Sequence, residues 1–428
     1  LLEAMEDVRQ ISIHTADGRM ADRYLYQMRD DADGKWLFIA QGLREDNIDV
    51  PQARRLTIRL KGEYAVEEYD TLHGTHHPLN AEIQDGYTVL VREMSDHDSL
   101  LLRLTPGKAS SGQEVAREPQ YIRVQKPWGR MPITLSEPNV LLLDMAEASL
   151  DGEEWAEKEE VLRIDNILRQ RLGFPLKMEA FAQPWTRAKE KAQHTLSLRY
   201  TVDSAVEVPN AYLAVEKPED CTIAWNGEEI DNTPVGYYTD ASIQTVPLGT
   251  IRKGENILQI EMPYKTETNV EWCYILGDFG VQVAGDHATV TEPVRELYFG
   301  DWTVQGLPFY GGNVTYHTEV TGNGEECLLQ VSKYRNPLLS VEVDGHPAGK
   351  LAFAPYKLSL GKLEGTHSLD ITAYGNRVNS FGTVHLCDEK VTWFGPMAWR
   401  SAGESWSYEY QLRRTGVLSA PVLYLEKK

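Results

Sequence analysis

The chain has 428 residues, a formal net charge of −21 and a pI near 5.0. One hydrophobic core rarely organises a chain of this length, so we expect roughly two to four domains. The sequence has no cluster of lysine and arginine, which argues against nucleic acid as a partner, because phosphate binding depends on clustered basic side chains. No apolar run approaches the roughly 20 residues of a membrane helix, so the sequence favours a soluble protein with no membrane partner.

The four cysteines, Cys221, Cys273, Cys327 and Cys387, are widely spaced and form no C-x-x-C motif. This spacing indicates neither a cysteine zinc site nor a disulfide framework. The chain begins with Leu-Leu rather than Met, so we expect it to be a piece of a longer polypeptide. The sequence leaves the cellular compartment open.

Residues 1–106 contain six short segments in which apolar and polar residues alternate. A period of two places one face of a strand in a core and the other in water, so we expect a small all-β domain. A stretch rich in small and polar residues, Thr105 to Glu114, marks its end. The six segments are Tyr24 to Arg29, Lys35 to Ala40, Arg55 to Leu60, Tyr64 to Tyr69, Tyr87 to Val91 and Leu100 to Leu104.

Acidic residues cluster in the segment Asp30-Asp31-Ala32-Asp33-Gly34. Calcium prefers clustered carboxylate oxygens, but a calcium loop of this type also needs a distal glutamate, which the sequence does not supply here. A hairpin turn between the two flanking strands explains the segment better, and we predict no metal site.

The stretch from Asp151 to Phe174 interrupts the β pattern. Its apolar residues recur at helical spacing, and acidic residues precede basic ones, which matches the helix dipole. Gly173 is the expected stop, because glycine adopts the left-handed conformation common at helix ends. We therefore predict one helix here. The apolar positions are Trp155, Val161, Leu162, Ile164, Ile167, Leu168 and Leu172.

A strand that runs into a tight turn occurs twice, at Asn226-Gly227 and at Asp344-Gly345. Asn-Gly and Asp-Gly supply the positive φ angles of two-residue hairpin turns. A returning strand follows each copy. The repeat predicts an all-β fold of tandem β-sandwich or jelly-roll modules with one inserted helix. We place the modules at residues 1–106, 119–292 and 293–428.

The sequence contains no catalytic signature. It has no G-x-S-x-G elbow, no H-E-x-x-H motif, no phosphate-binding glycine loop and no dinucleotide fingerprint. The 64 acidic residues could hide a carboxylate pair of the kind that glycosidases use, but the sequence cannot bring two of them to a catalytic separation. We therefore assign no catalytic residue and no cofactor.

Aromatic residues in predicted turns are the most useful functional signal, because sugars stack their C–H faces on flat rings while polar groups bind the hydroxyls. Core packing competes with this interpretation for every ring, since most large apolar side chains are buried. The carbohydrate-binding candidates of the third module are Trp302, Tyr310, Tyr356, Asn376, Asn379 and His385. Further aromatic candidates are Trp225, Tyr237, Tyr238, Phe309, Phe381, Trp393, Phe394 and Trp399.

Several segments resemble the sugar-binding β-sandwich of family 2 glycoside hydrolases, among them LSLRYTV (Leu196 to Val202), IAWNGEEI (Ile223 to Ile230) and CYILGDFGV (Cys273 to Val281). More closely, the chain from about Tyr121 onward is similar to the C-terminal half of large bacterial proteins of the family 106 α-L-rhamnosidase type. The segments LPFYGGNVTYHTEV, SVEVDGHPAGKLAFAPYKLSL and GNRVNSFGTVH are similar to the galactose-binding-like jelly roll that closes those proteins.

The resemblance implies a non-catalytic C-terminal region of a bacterial glycoside hydrolase. In that family the acid and base belong to an upstream barrel, and this chain lacks the alternating βα units that would build one, so no catalytic position carries over. The implied partners are an upstream catalytic domain of the same polypeptide and a glycan or oligosaccharide. Two alternatives stay open: a free-standing carbohydrate-binding protein, and a glycan-cleaving enzyme with an unrecognised carboxylate pair.

Overall fold

The computed structural model describes residues 8–43, 45, 47, 49–50, 52–72, 74–108, 120–124, 128–177, 190–388 and 403–427. Of the described residues, 54% lie in strands and 5% in helices, which confirms the predicted all-β fold. Within these residues no helix is both long and apolar enough to cross a membrane. The sheets group into an N-terminal sandwich, a middle sandwich and a C-terminal module, each defined below by its strands.

The N-terminal sandwich packs two antiparallel sheets face to face. Its strands are β1 (Ile11–Thr15), β2 (Tyr24–Asp31), β3 (Gly34–Gln41), β4 (Ala53–Lys61), β5 (Tyr64–Asp70), β6 (Thr75–Pro78), β7 (Glu82–Gln84), β8 (Tyr87–Ser95) and β9 (Ser99–Pro106). One sheet has the order β1-β4-β8-β7 and the other β2-β3-β9-β5-β6. Alternate residues such as Leu37, Ile58 and Leu102 are fully buried between the sheets. All six segments predicted as strands are strands.

The acidic segment that follows Arg29 forms the hairpin between β2 and β3, as predicted. The Arg103 guanidinium lies 3.5 Å from Asp31 and also pairs with Asp33, while Lys35 pairs with Asp30. Basic side chains of the same sandwich therefore neutralise these carboxylates.

The next two strands, β10 (Tyr121–Val124) and β11 (Met131–Leu135), join the C-terminal module. β10 pairs with residues 423–426, the last strand of the chain, and β11 pairs with residues 314–316 and 296–297. Both strands lie within the range predicted for the second module, residues 119–292. An alternating pattern identifies a strand, but it does not indicate which sheet edge the strand meets.

The middle sandwich packs two further sheets around an apolar core. Its strands are β12 (Asn139–Leu143), β13 (Met145–Leu150), β14 (Glu159–Glu160), β15 (His194–Ser204), β16 (Val208–Glu216), β17 (Thr222–Trp225), β18 (Glu228–Glu229), β19 (Gly236–Tyr238), β20 (Asp240–Ile251), β21 (Gly254–Tyr264), β22 (Cys273–Gly277), β23 (Gly280–Ala284) and β24 (His287–Thr291). The orders are β12-β22-β16-β20-β19 and β14-β13-β15-β21-β17-β18, with β24 and β23 attached to β15. Leu198, Leu213 and Ile260 are buried in its core.

The C-terminal module is built on two 17-residue strands. It adds β25 (Glu296–Leu297), β26 (Val314–Gln330), β27 (Leu339–Val343), β28 (His346–Leu351), β29 (Lys357–Ala373) and β30 (Val422–Glu426). The order is β10-β30-β26-β29-β27-β28. Register shifts after Asn323 and Cys327 interrupt the β26–β29 ladder, and such bulges bend a strand.

Both predicted hairpin turns are present. Asn226 and Gly227 have φ angles of 52° and 83°, and Asp344 and Gly345 have φ angles of 50° and 72°. They connect β17 to β18 and β27 to β28, as their sequences require.

The helix α1 (Val161–Leu172) is shorter than the predicted stretch from Asp151 to Phe174. Its end agrees with the prediction, because Gly173 caps it in the left-handed conformation with φ 71°. Its start does not. Asp151 and Gly152 form a turn with positive φ angles, and Trp155 lies outside the helix beneath the Arg199 guanidinium.

The Glu160 carboxylate sets where α1 begins. It accepts a hydrogen bond from the backbone N–H of Arg163 at 3.0 Å and another from Trp272 Nε1 at 2.5 Å. Glu160 is only 2% exposed, and burial raises the pKa of its carboxyl group to about 7 in spite of these hydrogen bonds.

We expect Glu160→Gln to remove a pH dependence of stability. Because the pKa of about 7 exceeds the ordinary 4.5, the folded chain binds this proton more tightly than the unfolded chain. Its contribution is complete below pH 4.5 and is lost as pH rises through about 7, a change of about 3 kcal/mol. Urea titrations at pH 5 to 8, read by hydrogen exchange in α1 and β22, should show a smaller loss in the variant. Glu157→Gln, at an exposed carboxylate, is the control, and equal slopes in Glu160→Gln and the parent would contradict the assignment.

Candidate functional site

Two of the aromatic candidates lie in the core of the C-terminal module. Trp302 is 1% exposed and donates from Nε1 to the Tyr316 hydroxyl at 2.6 Å. Tyr310 is 2% exposed, and its hydroxyl donates to the carbonyl of Asn313 at 2.9 Å. Neither ring presents a face to a ligand, so the expectation that they stack on sugars is corrected. Both rings fill apolar volume while their polar tips find internal partners.

The polar candidates belong to a loop that docks on the middle sandwich. Asn379, 3% exposed, donates to the carbonyl of Arg413 at 2.7 Å and accepts from its backbone N–H at 2.8 Å. Asn376 donates to the carbonyl of Arg335 at 3.1 Å. Internal backbone groups thus engage both amides, and the expected polar wall of a pocket at this loop does not form.

His385 joins the C-terminal module to the middle sandwich. It is 3% exposed, and its Nε2 lies 2.8 Å from Asp144 Oδ2 while its Nδ1 lies 2.8 Å from the carbonyl of Ser407. The Tyr410 hydroxyl donates to Asp144 Oδ1 at 2.7 Å. Burial alone would lower the pKa of His385, but its contact with the Asp144 carboxylate raises it above the ordinary value. This arrangement is a structural joint.

Aromatic and charged side chains extend this docking along the same loop. The Phe381 ring packs against Tyr238 and Tyr274 of the middle sandwich. Arg377 pairs with Glu137 at 2.8 Å and lies over the Tyr238 ring. We call residues 374–388 the strap, since they fasten one sheet assembly to another.

The remaining aromatic candidates divide by exposure. Trp225 and Phe309 are buried, with 6% and 0% of their surface exposed, whereas Tyr237 is 65% exposed on an edge strand. Trp393, Phe394 and Trp399 lie outside the described residues.

Tyr356 is the candidate that lines a cavity. It faces a cleft of about 280 Å³ between the N-terminal sandwich and the C-terminal module. We call this space the cleft. The residues that line it are Glu45, Asp96, His97, Ser332, Lys333, Tyr334, Arg335, Asn336, Pro337, Ala352 and Tyr356.

One wall of the cleft comes from the loops of the N-terminal sandwich. Asp96 is 8% exposed, and its Oδ2 accepts from the backbone N–H of Gln52 at 2.8 Å. Its Oδ1 is buried, and no donor among the described residues reaches it. Glu45 is held by Arg54 at 2.5 and 2.7 Å, and these hydrogen bonds lower the pKa of the Glu45 carboxyl group.

The opposite wall comes from two loops of the C-terminal module. Asn336 is 8% exposed and donates from Nδ2 to the carbonyl of Tyr374 at 2.7 Å. Its Oδ1 is buried, and no described donor reaches it either. The Tyr334 and Tyr356 rings meet edge to face with centroids 5.4 Å apart. Burial raises the pKa of Tyr356, and the negative charge of Asp96 adds to this effect.

Asp49 fastens the two walls beside the cleft. Its carboxylate lies 2.8 Å from Lys333 Nζ and 3.0 Å from Arg414, and it also pairs with Arg335. Sequence analysis identified neither Asp49 nor Asp96 nor Asn336. Each is an ordinary polar loop residue, and only the docking of two distant segments brings them together. In the described chain, no group of three or more histidine, cysteine or acidic side chains is arranged to hold a metal ion.

No protein-family model matches this chain, and no curated protein matches it. Among solved structures it is similar to a rhamnosidase from Novosphingobium sp. PP1Y, with 14% identity, a TM-score of 0.41, and coverage of 99% of this chain and 25% of that protein. It is also similar to a Streptomyces avermitilis α-L-rhamnosidase complexed with L-rhamnose, with 11% identity, a TM-score of 0.23, and coverage of 93% of this chain and 39% of that protein. The chain thus spans a quarter to two fifths of the length of these proteins.

Proposed function

We propose that this chain is a non-catalytic region of a bacterial glycoside hydrolase, which supports a catalytic domain and holds carbohydrate. The observation that carries the proposal is the cleft, where Tyr356 stands beside buried hydrogen-bond acceptors. Aromatic rings with a few placed polar groups are the usual composition of a small-molecule site. The sequence resemblance to glycoside hydrolase sandwiches supports the same class of function.

The chemistry of the carboxylates argues against hydrolysis by the cleft. A glycosidase needs a general acid with a raised pKa, facing a second carboxylate across the scissile bond. In the cleft, Arg54 lowers the pKa of Glu45. Among the described carboxyl groups, a raised pKa is found at Glu160, which is 2% exposed and accepts a hydrogen bond from Trp272. Neither carboxyl group suits the role of an acid that meets substrate.

A free-standing carbohydrate-binding protein is the second candidate. The same cleft favours it, because binding in the cleft needs no catalytic domain. The coding sequence upstream of residue 1 separates the two: an in-frame barrel domain supports the first, and a start codon near Leu1 supports the second.

We expect this chain alone to hydrolyse no glycoside. Aryl α-L-rhamnoside, β-galactoside and β-glucuronide should release no more chromophore than a buffer blank over a day, because among the described residues the carboxyl group with a raised pKa, that of Glu160, is only 2% exposed. Turnover that survives repurification and disappears when one aspartate or glutamate is changed would establish the enzyme alternative.

A support role requires a firm joint, and we expect His385→Gln to weaken it. The change leaves the Asp144 carboxylate, which is 1% exposed, without its charged partner, a loss of about 3 to 5 kcal/mol. Because the folded pKa of His385 is raised, the contribution of the pair is complete below pH 6.5 and is lost as pH rises through the folded pKa. The difference from the parent should therefore be larger at pH 5.5 than at pH 9.

Hydrogen exchange in the strap and thermal unfolding at both pH values measure this effect. His287→Gln is the matched control, because the His287 side chain is 71% exposed. Unchanged protection of the strap in His385→Gln at pH 5.5 would show that the joint does not depend on the ion pair.

A further inference from the structure

A cavity of about 470 Å³ lies where the middle sandwich meets the C-terminal module. The middle sandwich contributes residues of β12, β16 and β22, and the C-terminal module contributes β11 and the residues before β25. The volume falls within the range of roughly 300 to 1,000 Å³ that is usual for small-molecule sites. We call it the Tyr212 cavity. The residues that line it are Ile133, Thr134, Leu135, Glu137, Pro138, Asn139, Asn210, Tyr212, Gly277, Asp278, Phe279, Val294 and Arg295.

Tyr212 brings an exposed aromatic ring to this cavity. It lies on β16 between Ala211 and Leu213, which are 1% and 0% exposed. Because side chains alternate along a strand, Tyr212 points away from the core, and it is 40% exposed. The register of β16 against β20 shifts on both sides of Ala211, and the adjacent Asn210 has a φ angle of 56°. Such a bulge turns side chains in a new direction. The ring is therefore accessible to a ligand.

An exposed ion pair also lines the cavity. Asp278, in the turn between β22 and β23, pairs with Arg295, and the two side chains are 64% and 67% exposed. The carbonyl of Arg295 accepts from the backbone N–H of Ile133 at 3.0 Å, which attaches this segment to β11. The carboxylate accepts hydrogen bonds and the guanidinium donates them, so the pair offers both kinds of partner that a hydroxyl group uses. Hydrogen bonds to charged groups are also stronger than those between neutral groups.

The charges that line the cavity favour a neutral ligand. Asp278 and Arg295 pair with one another. Glu137, the third charged residue of the lining, is paired with Arg377 at 2.8 Å. A charged ligand would therefore compete with a partner that is already in place. The net charge of −21 further opposes an acidic ligand.

We propose that the Tyr212 cavity binds a neutral sugar, whose C–H face packs on the Tyr212 ring while its hydroxyl groups bond to Asp278 and Arg295. This inference rests on the carbohydrate-binding part of the proposed function and adds a second binding position, which shares no lining residue with the cleft. Sugars combine an apolar C–H face with hydroxyl groups that both donate and accept. That combination matches an exposed ring that shares a cavity with a carboxylate and a guanidinium.

The test is ligand-observed saturation-transfer NMR on the full chain with neutral hexoses and 6-deoxyhexoses, with glucosamine and glucuronate as charged analogues. Titrations use the parent and a Tyr356→Ala background, which removes an aromatic side chain of the cleft. We expect the neutral sugars to bind with a Kd on the order of millimolar in both. In that background, Tyr212→Ala removes the ring and should weaken binding roughly fivefold. Asp278→Asn removes the charged acceptor and should weaken binding roughly fivefold or more.

Tyr237→Ala is the matched control. Tyr237 is 65% exposed on β19 of the same sandwich, and it lines neither the Tyr212 cavity nor the cleft. This variant should therefore bind as its background does. Thermal unfolding checks that every variant is folded. A neutral sugar that binds equally to the background, Tyr212→Ala and Asp278→Asn would overturn the inference.

Three other outcomes also overturn it. A sugar that binds the parent but not the Tyr356→Ala background would place the ligand in the cleft and leave the proposed function intact. A charged analogue that binds more tightly than the neutral sugars, and loses this advantage in Asp278→Asn, would make the cavity a site for charged ligands. No saturation transfer in the parent at tens of millimolar, on the order of ten times the expected Kd, would remove the carbohydrate part of the proposed function as well. The absence of hydrolysis would still stand on its own assay.

Discussion

Carboxylates that reach from one sheet assembly to another hold this chain together. Asp144 of the middle sandwich binds His385 of the strap, and both side chains are at most 3% exposed. Asp49 of the N-terminal sandwich binds cations of the C-terminal module while its own side chain is 27% exposed. Breaking a buried pair costs about 3 to 5 kcal/mol, whereas a solvent-exposed pair is worth about 0 to 1 kcal/mol. The pair at the strap is therefore shielded from water, whereas the ion pairs of Asp49 are partly open to it.

Cavities lie beside both of these contacts. At the strap, rings pack closely and the Asn379 amide is satisfied, while cavities of about 470 and 1080 Å³ lie next to Glu137 and Tyr410. Beside Asp49, the walls stand apart and leave about 280 Å³ between Asp96 and Asn336. A ligand that bonds to both walls would add its binding free energy to the contact between them. Binding and docking of the N-terminal sandwich are then thermodynamically linked, whichever ligand occupies the cleft.

Local chemistry made much of the fold predictable from sequence. The positive φ angles at Asn226 and Asp344 follow from the turn chemistry of Asn-Gly and Asp-Gly, and Gly173 ends the helix as expected. Long-range contacts decided the rest. The start of α1 depends on the carboxylate of Glu160, which accepts a hydrogen bond from Trp272, a residue far along the chain and just before β22. The apolar residues upstream of Glu160, such as Trp155, also fit helical spacing, yet Trp155 lies outside the helix.

Long-range contacts also made the candidate site harder to predict from the sequence than the fold. Exposure cannot be inferred from a turn position alone, so Trp302 and Tyr356 were equivalent candidates, yet one fills a core and the other lines the cleft. The polar loop at Asn379 resembled a pocket because its amides had no partner within the local sequence. The Asn379 amide instead bonds to the backbone of Arg413, which is distant in sequence. Asp96 and Asn336 carried no local signal, since the property they share, an oxygen that no donor among the described residues reaches, depends on the folded chain.

Electrostatic environment connects these features to function. A raised carboxyl pKa often marks a catalytic acid, and in this chain Glu160 has one at about 7. Burial at a helix start produces that shift, with Trp272 and a backbone N–H as its partners, so the proton has no route to a glycosidic oxygen. The cleft has the opposite character: Arg54 stabilises the charge of Glu45, and the unsatisfied atoms are acceptors. Acceptors without a proton to give can hold hydroxyl groups, but they cannot protonate a leaving group. In the described chain, the carboxyl group with the raised pKa is thus buried at a helix start, apart from the cleft.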